Sequence, residues 1–435
     1  MKDFVREKKR FILPLIASLL LISVALYIYF HFIARRNLVK LPLNELPGNS
    51  ADFGQTDPDL IAPGVLKQIE TNLLIDVELK LSQEDEVQTA TGLLIAWRKQ
   101  PDLVLGDDPD IEIIADQILA IDQLYFGQAL LESGRNRQFK QWRRNFKQAF
   151  FDEISGLFAN ALERENNNIF RQKDPNWITT QDYLRLLLLA YLDKPTKDLS
   201  REISDLSDTL LPLFLSGPPT TIEGYGPNLN HPLISKAADD PVPLEQQPIP
   251  LVSVESIDFW TLEQLSAFDQ GWTEIAASWK SRLAEYPHEV GMPFPPEGWS
   301  PYEQELMPLI ESGFQAETWR MLRTSIHLAE VGVSNADFLG FILGELNNGH
   351  LAASYHLLSG SGSDKEADPA LAAWAARLGR VCDNRSLFSA AVKQLSRSYV
   401  SSQTNDFFGA FARRDEEGRL TIFALDQVLG LLALQ

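Results

Sequence analysis

Along most of the chain, hydrophobic residues recur at intervals of three or four positions. This is the spacing of an amphipathic helix, whose apolar side chains share one face. Many helices of moderate length joined by short connections favour an all-α body, either an α/α toroid or an α-solenoid. The spacing predicts helices over 65–82, 88–100, 110–133, 137–165, 179–193, 198–215, 256–284, 302–312, 315–332, 335–347, 369–380, 385–399 and 421–434.

The first long apolar run, residues 11–34, contains no Lys, Arg, Asp or Glu. A helix of this length, at about 1.5 Å per residue, can cross a hydrocarbon core of about 30 Å. Five basic residues lie in 1–10, and Arg35 and Arg36 follow the run, so we expect 1–10 to stay in the cytoplasm. The run ends in bulky aromatics rather than a small-residue cleavage site, which favours an uncleaved signal anchor.

The rest of the chain divides into a stalk and a body. Residues 35–63 are rich in Pro, Gly, Asn and Asp and show no sustained apolar period, which is typical of a linker. Residues 64–435 are then the extracytoplasmic helical domain. The Pro-dense stretch from 217 to 250 is its one long irregular segment in the sequence pattern, and we interpret it as a functional or disordered loop.

Charge and cysteine content narrow the possible partners and cofactors. The chain has 39 basic and 59 acidic residues, and without positions 1–45 the body has a net charge near −25. Such an excess repels nucleic acid phosphates and anionic lipid headgroups. The single cysteine, Cys382, excludes an intramolecular disulfide and a cysteine-based zinc site. We expect no nucleic acid partner, no metal and no cofactor.

Sequence motifs of several enzyme classes are absent. There is no phosphate-binding glycine loop, no HExxH and no GxSxG, and the six histidines are widely spaced. Carboxylates and aromatics remain as candidates for chemistry. Tyr125, Trp260 and Trp97 lie in segments that also carry acidic residues, and their rings suit the apolar faces of sugars. The alternative is that these aromatics fill the core of a helical protein.

Two aspartates stand out as possible site residues. Asp258 lies at a predicted helix start among Ile257, Phe259 and Trp260, so it is either a functional acid or base, or a carboxylate that caps the helix. Asp122 shares a helix face with Tyr125, and its alternative is an ordinary solvated position. The sequence alone leaves both alternatives open.

Five blocks, in order, resemble the glycoside hydrolase family 8 proteins, especially membrane-tethered types associated with bacterial exopolysaccharide systems. The resemblance spans most of the body and implies an (α/α)6 toroid with an acidic cleft across one end. It also implies endo-acting hydrolysis of a β-linked polysaccharide with inversion, by one carboxylic acid and one carboxylate base. The blocks are EVQTATGLLIAW at 86–97, AIDQLYFGQALLESG at 120–134, VSVESIDFWTLEQLSAFDQGW at 252–272, TSIHLAEVG at 324–332, and NDFFGAFARRDEEGRLTIFALDQVLGLLAL at 405–434.

The resemblance also assigns roles to individual residues. It implies that Asp258 is the base that activates water and that Asp122 holds the sugar at the centre of the cleft. Family members usually have a pair of acids at the second position, whereas this chain has Asp122 followed by Gln123. Family members also carry a glutamate acid in the first block, where the best alignment gives Thr89. Glu86 is the remaining candidate acid, about one helical turn away.

These observations leave three functions open. The first is a membrane-anchored glycosidase that cuts an extracellular polysaccharide, with Asp258 as base, Asp122 as positioning group and Glu86 as acid. The second is a catalytically inactive protein that binds a glycan on the same fold, which Thr89 and Gln123 favour. The third is an α-helical interaction module without glycan function, soluble because of its acidic surface.

Overall fold

We describe the protein from a computed structural model of the 435-residue chain. Statements about the structure concern these residues only. The structure describes residues 23–24, 41–47, 58–80, 87–100, 115–165, 168–171, 175–220, 222–224, 249–284, 286, 293–301, 304–307, 315–349, 351–363, 368–415 and 418–435.

Helical hairpins build the body, and most of their helices begin close to the predicted positions in the C-terminal half. The helix predicted at 335–347 runs from Ala336 to Asn348, for example. The helix prediction at 302–312 is wrong, because Glu305–Met307 forms a short strand there. Two short helical segments accompany the hairpins, a π-helical one at Ile69–Leu73 and a 3₁₀ one at Val254–Ser256. The α-helices are α1 Pro58–Gln68, α2 Ala120–Glu132, α3 Asn136–Phe150, α4 Trp177–Asp193, α5 Lys197–Leu215, α6 Phe259–Leu265, α7 Gly271–Ala284, α8 Thr318–Glu330, α9 Ala336–Asn348, α10 Pro369–Val381, α11 Arg385–Ser396 and α12 Ala424–Leu434.

Six of the described helices form a closed inner ring. Helix α2 contacts α4, and the contacts continue through α6, α8, α10 and α12 back to α2. The other six, α1, α3, α5, α7, α9 and α11, lie outside it, with α1 packed on α12. This alternation of inner and outer helices excludes the α-solenoid, because a solenoid does not close on itself. The predicted mostly helical toroid is therefore confirmed.

Short strands accompany the helices. The body is therefore not purely α-helical, in contrast to the all-α prediction. The strands form five small sheets in the described residues, with strand orders β2-β1-β8-β7-β4, β10-β11-β12-β13, β14-β15, β16-β17-β3 and β5-β6-β9. The strands are β1 Leu74–Lys80, β2 Val87–Leu94, β3 Trp97–Lys99, β4 Gln117–Leu119, β5 Phe151–Asp152, β6 Leu157–Ala159, β7 Ala161–Glu165, β8 Asn168–Arg171, β9 Pro175–Asn176, β10 Ile222–Gly224, β11 Ile249–Ser253, β12 Gly298–Ser300, β13 Glu305–Met307, β14 Gln315–Glu317, β15 Ser354–His356, β16 Arg413–Arg414 and β17 Leu420–Phe423.

Two helix predictions near the start of the body are wrong. The segment predicted as helix at 65–82 is helical only to Leu73 and continues as β1, which pairs antiparallel with β2. Its sequence LIDVELK alternates apolar and polar residues, which is the period of a half-exposed strand. The segment predicted at 88–100 forms β2 and β3, and Gly92 has φ +67°, outside the right-handed helical region.

The N-terminal predictions are only partly covered by described residues. Of the predicted anchor at 11–34, all but residues 23–24 lie outside the described part of the chain. Among the residues that are described, no helix has the length and apolar character needed to span a membrane. Within the predicted stalk, Leu46 is buried and the Asn44 amide donates to Gln264 Oε1 at 2.7 Å. Helix α1 starts at Pro58, so ordered packing on the body begins before residue 64.

Candidate active site

The N-terminal ends of the inner helices meet at one end of the toroid. One outer helix lies between each inner helix and the next along the chain and runs back, so all six inner helices point the same way. Strands β4, β9, β14 and β17 end directly before α2, α4, α8 and α12. Helix N-termini carry partial positive charge, which favours carboxylates in the first turn. Asp122, Asp258 and Asp426 all lie at such positions.

Asp258 caps the N-terminus of α6 and is 0 % exposed. Its Oδ1 accepts from the Thr261 amide at 3.0 Å, and its Oδ2 accepts from the Thr261 hydroxyl at 2.6 Å. Arg185 on α4 donates to the same Oδ2 at 2.9 Å. Burial alone would raise the pKa of Asp258, but the charge of Arg185 and the Thr261 bonds lower it to about 2. The carboxylate therefore stays ionised.

Arg185 joins Asp258 to a second buried carboxylate. Its Nη1 also donates to Glu330 Oε2 at 2.9 Å, and its Nη2 donates to Glu330 Oε1 at 2.5 Å. Both carboxylates favour the charged guanidinium and raise the pKa of Arg185 despite its burial. The three side chains form one ion-pair group that links α4, α6 and α8.

Two further buried ion pairs cross the inner ring. Arg323 on α8 donates from Nη2 to both carboxylate oxygens of Asp182 on α4, at 2.9 and 2.8 Å. Arg377 on α10 forms two bonds of 3.1 Å to Glu132 on α2. Because unpaired charges are very costly to bury, this pairing is what allows so many charged groups to lie inside the ring.

His327 lies beside these ion pairs as a neutral side chain. Its Nδ1 is 3.0 Å from the Ile257 carbonyl oxygen. Burial lowers the pKa of His327 to about 3, an effect that the nearby Asp258 opposes and that Arg323 and Arg185 reinforce. A neutral imidazole here donates from Nδ1 to that carbonyl and so holds the residue before Asp258 in place.

Asp122, in the first turn of α2, has the opposite electrostatic setting to Asp258. It is 1 % exposed, and its buried Oδ1 has no hydrogen-bond partner among the residues that the structure describes. Burial, and then the charge of Asp426, raise its pKa well above the usual range for an aspartate. These surroundings favour the protonated form of its carboxyl group, and its burial excludes the solvated position considered from the sequence.

Asp426 lies at the matching position of α12 but has partners. Arg413 donates to its Oδ2 from Nε at 2.7 Å and to its Oδ1 from Nη2 at 2.9 Å. The Ala370 amide also donates to Oδ1 at 3.1 Å. Burial raises the pKa of Asp426 too, and the Arg413 bonds oppose that rise.

Asp122 and Asp426 are each followed by a glutamine, and the side chain of this glutamine forms hydrogen bonds to main-chain atoms of another segment. The Gln123 amide accepts from the Leu94 N–H at 3.0 Å and donates to the Leu94 carbonyl at 2.8 Å. Gln427 makes the same two bonds to Phe411, at 2.9 and 2.5 Å. Gln123 therefore has a structural role and fixes α2 against the end of β2.

Tyr125 lines a small cavity at the centre of the ring together with the paired Asp182 and Arg323. The cavity volume is about 30 Å³, room for a few water molecules at most. The Tyr125 ring packs edge-to-face on Trp374, with centroids 5.1 Å apart. Burial raises the pKa of Tyr125, so its hydroxyl remains protonated.

The other two predicted sugar-binding aromatics lie in different places. Trp260 is 1 % exposed, and the Arg185 guanidinium lies 5.4 Å from its ring centroid. Trp97 is half-buried on β3, where it pairs with Phe423 of β17. Trp260 is thus close to Asp258 but closed to solvent, and Trp97 lies on the partner strand of β17, which leads into α12.

Glu86, the acid predicted from the sequence, lies outside the described residues. Thr89 lies on β2 opposite Glu78 of β1, and only its backbone is described. The roles assigned to Asp258, Asp122, Glu86, Tyr125, Trp260 and Trp97 stay predictions.

A second group of acidic side chains lies beside the α8 N-terminus. Glu297 and Glu255 are both buried, and burial raises the pKa of each. Arg320 is 3.9 Å from Glu255 and donates from Nε to Glu317 at 2.8 Å. The Glu317 amide donates to Glu297 Oε1 at 3.0 Å. Within the described residues, no group of three or more His, Cys, Asp or Glu side chains is arranged to hold a metal ion.

Sequence reasoning missed most of the charged residues inside the ring. Asp182 and Arg185 interrupt the apolar run ITTQDYLRLLLLAYL, and such interruptions are the available signal. Arg323, His327 and Glu330 are spaced by four and three residues, so they share one face of α8. The pattern indicates a charged helix face, but not that it points inward.

Comparisons with known proteins find similarity in structure only. No protein-family model matches the sequence, and no curated protein matches it. An alpha-amylase from Clostridium perfringens superposes with a TM-score of 0.62 at 14% identity, over 86% of this chain and 96% of that one. A cold-adapted family 8 xylanase gives 0.57 at 11% identity, over 90% and 93%. A family 8 xylanase from Teredinibacter turnerae gives 0.51 at 13% identity, over 90% and 95%.

These superpositions cover nearly the whole of the matched proteins, so the shared architecture is that of a complete domain. Identities of 11–14% show the fold and no more. The fold expected from the five sequence blocks is confirmed: the body of this chain has the fold of the glycoside hydrolase family 8 proteins.

Proposed function

We propose that the protein is a glycoside hydrolase that cleaves internal glycosidic bonds of a polysaccharide, with Asp122 as the acid and Asp258 as the base. The observation that carries the proposal is that the surroundings of these two carboxyls, at helix N-termini on the same end of the toroid, move their pKa values in opposite directions. A general acid needs its proton and a base must be ionised. Two carboxyls whose surroundings move their pKa values apart are the usual acid and base of a glycosidase.

This proposal gives Asp122 a different role from the one implied by the sequence blocks. The orphaned Oδ1 and the rise in its pKa fit a proton donor better than a group that only holds a sugar. Thr89 then needs no catalytic role, and Glu86 is not required as the acid. Asp258, as base, would activate a water molecule on the opposite face of the sugar ring, which gives inversion.

The structural neighbours support a polysaccharide as substrate. They are described as an alpha-amylase and as family 8 xylanases, so this fold carries activity on both α- and β-linked polymers. We therefore propose a polysaccharide substrate, with β-linked polymers as the first choice from the sequence blocks. The acidic body makes nucleic acid an unsuitable substrate.

The test is reducing-end release by the full chain, purified in detergent. The panel holds β-glucan, xylan, chitosan, an α-glucan and the exopolysaccharide of the host. Asp122→Asn and Asp258→Asn should both lose release, whereas Asp269→Asn should retain it. Asp269 is a matched control because its Oδ1 accepts a hydrogen bond from the Gly271 amide at the start of the outer helix α7, and it pairs with no arginine in the described structure. Equal release of reducing ends by wild type and all three variants would exclude Asp122 and Asp258 as the catalytic residues.

We also propose that residues 11–34 anchor the protein in the cell membrane with the body on the outer side. The support is the length and apolar character of this run and the basic residues before it. Alkaline extraction of membranes should leave the chain in the pellet, and protease added to intact spheroplasts should degrade the body. Release of the chain by alkali would exclude the anchor.

A second candidate function is glycan binding without cleavage. The observation that favours it is the burial of both carboxyls, at 1 % and 0 % exposure, together with a central cavity of only about 30 Å³ that neither of them lines. Cleavage needs this end of the toroid to open so that a sugar can reach Asp122 and Asp258. If wild type binds a glycan without releasing reducing ends, and Asp122→Asn and Asp258→Asn bind it equally well, glycan binding without cleavage would be established instead.

A further inference from the structure

A second, much larger cavity lies at the rim of the toroid. It is a groove with a volume of about 890 Å³, within the range of about 300–1,000 Å³ typical of ligand sites. Gly349 ends α9 and Arg397 ends α11, and both residues line the groove. The outer helices run opposite to the inner ones, so their C-terminal ends lie at the same end of the toroid as Asp122 and Asp258. The groove therefore lies at the same end of the toroid as the candidate active site.

Polar side chains line most of the groove. Gln394, Ser402 and Asn405 contribute amides and hydroxyls, and the half-buried Tyr399 contributes an aromatic ring. Amides, hydroxyls and an aromatic ring together match a sugar, which has hydroxyl groups around an apolar face. More than one sugar ring fits a groove of this volume.

Two arginines in the groove have no carboxylate partner among the described residues. Arg397 donates to Gln394 Oε1 at 2.7 Å, and Arg414 donates to the Gly418 carbonyl at 2.9 Å. Each guanidinium has five N–H donors, so most of them remain for a ligand. The chain has an excess of acidic residues, yet both guanidiniums lie exposed in the groove, and neither pairs with a carboxylate of the described part of the chain.

The strand that carries Arg414 explains why this arginine faces the groove. Successive side chains of a strand point to opposite sides. Arg413 points inward to Asp426 and Asp368, so Arg414, the next residue of β16, points outward. One carboxylate also lines the groove, Glu345, and it already accepts a hydrogen bond from the Tyr355 hydroxyl.

We propose that this groove binds a segment of a glycan that carries carboxylate substituents, such as a uronate-containing polysaccharide, with Arg397 and Arg414 on its carboxylates. The proposal deepens the proposed function, and it rests on that function in taking the ligand to be a glycan. The negative charge of the whole body does not prevent it, because charges beyond about 8 Å are screened at physiological salt. It does favour a glycan with sparse rather than continuous acidic groups.

The test is calorimetric titration of the detergent-purified full chain. Its ligands are a β-linked oligosaccharide with one glucuronate residue, the neutral oligosaccharide of equal length, and inorganic phosphate. The variants are Arg397→Gln, Arg414→Gln and the double variant. Arg385→Gln is the matched control, since Arg385 is an exposed arginine at the other end of the same helix α11, roughly 18 Å along the axis from Arg397.

We expect the acidic oligosaccharide to bind about tenfold more tightly than the neutral one, because a charge-assisted hydrogen bond contributes about that factor. Each Arg→Gln change should weaken acidic binding severalfold, and the double variant should bind both sugars equally. Arg385→Gln should bind like wild type. Equal binding of the two sugars by wild type, no effect of the double variant, or competition by phosphate as strong as by the acidic sugar would each overturn the proposal.

The same titrations separate this proposal from the proposed function. Asp122→Asn and Asp258→Asn should keep wild-type affinity for the acidic oligosaccharide, because neither lines the groove. Acidic binding through the arginines without cleavage of any polymer would leave the groove established and exclude hydrolysis. Cleavage of a polymer together with equal binding of the acidic and neutral oligosaccharides by wild type would leave hydrolysis established and exclude the groove.

Discussion

The first and last inner helices begin with the same four-residue pattern, but its aspartate has different hydrogen-bond partners in the two helices. Ala120–Gln123 reads Ala-Ile-Asp-Gln, and Ala424–Gln427 reads Ala-Leu-Asp-Gln. In both, the glutamine holds a neighbouring main chain by two hydrogen bonds. Asp426 is bonded by Arg413 and the Ala370 amide, whereas Asp122 Oδ1 has no partner.

The difference separates a structural carboxyl group from a candidate catalytic one. An aspartate that only stabilises a helix start is expected to have its hydrogen bonds made, as Asp426 has. An unpartnered buried carboxyl costs free energy, about 1–3 kcal/mol for a polar group of this kind, and such groups persist mainly at functional sites. Asp426 also contributes to the retained proton of Asp122, so the paired residue tunes the unpaired one.

The largest expected effect that tests this comparison is on hydrolysis. Asp122→Asn should lower the rate by about 10²–10⁴, the usual contribution of a general acid, with the free energy of unfolding at pH 4 changed by no more than about 1 kcal/mol. The stability change is small because an amide replaces a carboxyl that is already neutral. Reducing-end release and urea unfolding measure the two quantities.

The matched variant for this prediction is Gln123→Glu, at the next position. It disturbs the two bonds to Leu94, so it should lower stability while leaving Asp122 in place. A loss of rate in Asp122→Asn that only follows a loss of stability, as in Gln123→Glu, would contradict the catalytic role.

The second prediction concerns a site where carboxylates are paired. Arg185→Met removes the cation between Asp258 and Glu330 and should lower the free energy of unfolding by about 3–5 kcal/mol, since two buried carboxylates lose their partner. Arg201→Met is the control. Its ion pair with Asp198 lies on the surface of α5, where such a pair contributes about 0–1 kcal/mol. If Arg185→Met and Arg201→Met lower the free energy of unfolding in urea equally, the buried ion pairs of Arg185 contribute no more stability than a surface pair.

Much of the fold could be predicted from sequence because helix periodicity is a local property. The pattern at 335–347 and 369–380 gave helices whose ends agree within one or two residues with α9 and α10. The same search missed β1, because a search for apolar residues three and four apart also accepts part of an alternating run. The closure of the ring follows from contacts between helices and has no local signal.

The candidate site was less predictable because its partners are distant in sequence. Asp258 could be placed at a helix start, since capping is local, and the structure has it at the N-cap of α6. Its pairing with Arg185 spans 73 residues, and that of Arg185 with Glu330 spans 145. The low pKa of Asp258 and the high pKa of Asp122 both depend on such neighbours and on burial, which one sequence does not reveal.

A smaller effect is expected in the pH dependence of stability. The pKa of Asp122 is raised in the folded state, so between the unfolded value near 4 and the folded value the folded protein holds an extra proton. Stability from this group is present below about pH 4 and is lost as pH rises, by up to about 1.4 kcal/mol per pH unit. Asp122→Asn should abolish this slope.

Urea unfolding of wild type and Asp122→Asn across pH 4–8 measures the slope as a difference. Taking the difference removes the contribution of His327, whose pKa of about 3 gives the opposite dependence, with stability lost as pH falls below about 6.5. Parallel curves for the two proteins would mean that Asp122 is ionised in the folded state, and the comparison with Asp426 would lose its basis.

The smallest expected effect is that of a substitution at Asp426. Asp426→Asn removes the charge that, after burial, raises the pKa of Asp122, so the alkaline limb of the pH–rate profile should move to lower pH. The shift is partial, because burial is the larger cause and remains. Asp368→Asn is the control, since Asp368 also pairs with Arg413 at 2.7 Å but is not among the groups that raise the pKa of Asp122. If both variants move the limb equally, Arg413 rather than Asp426 sets the proton affinity of the acid; if only Asp426→Asn moves it, the paired aspartate tunes its unpaired counterpart.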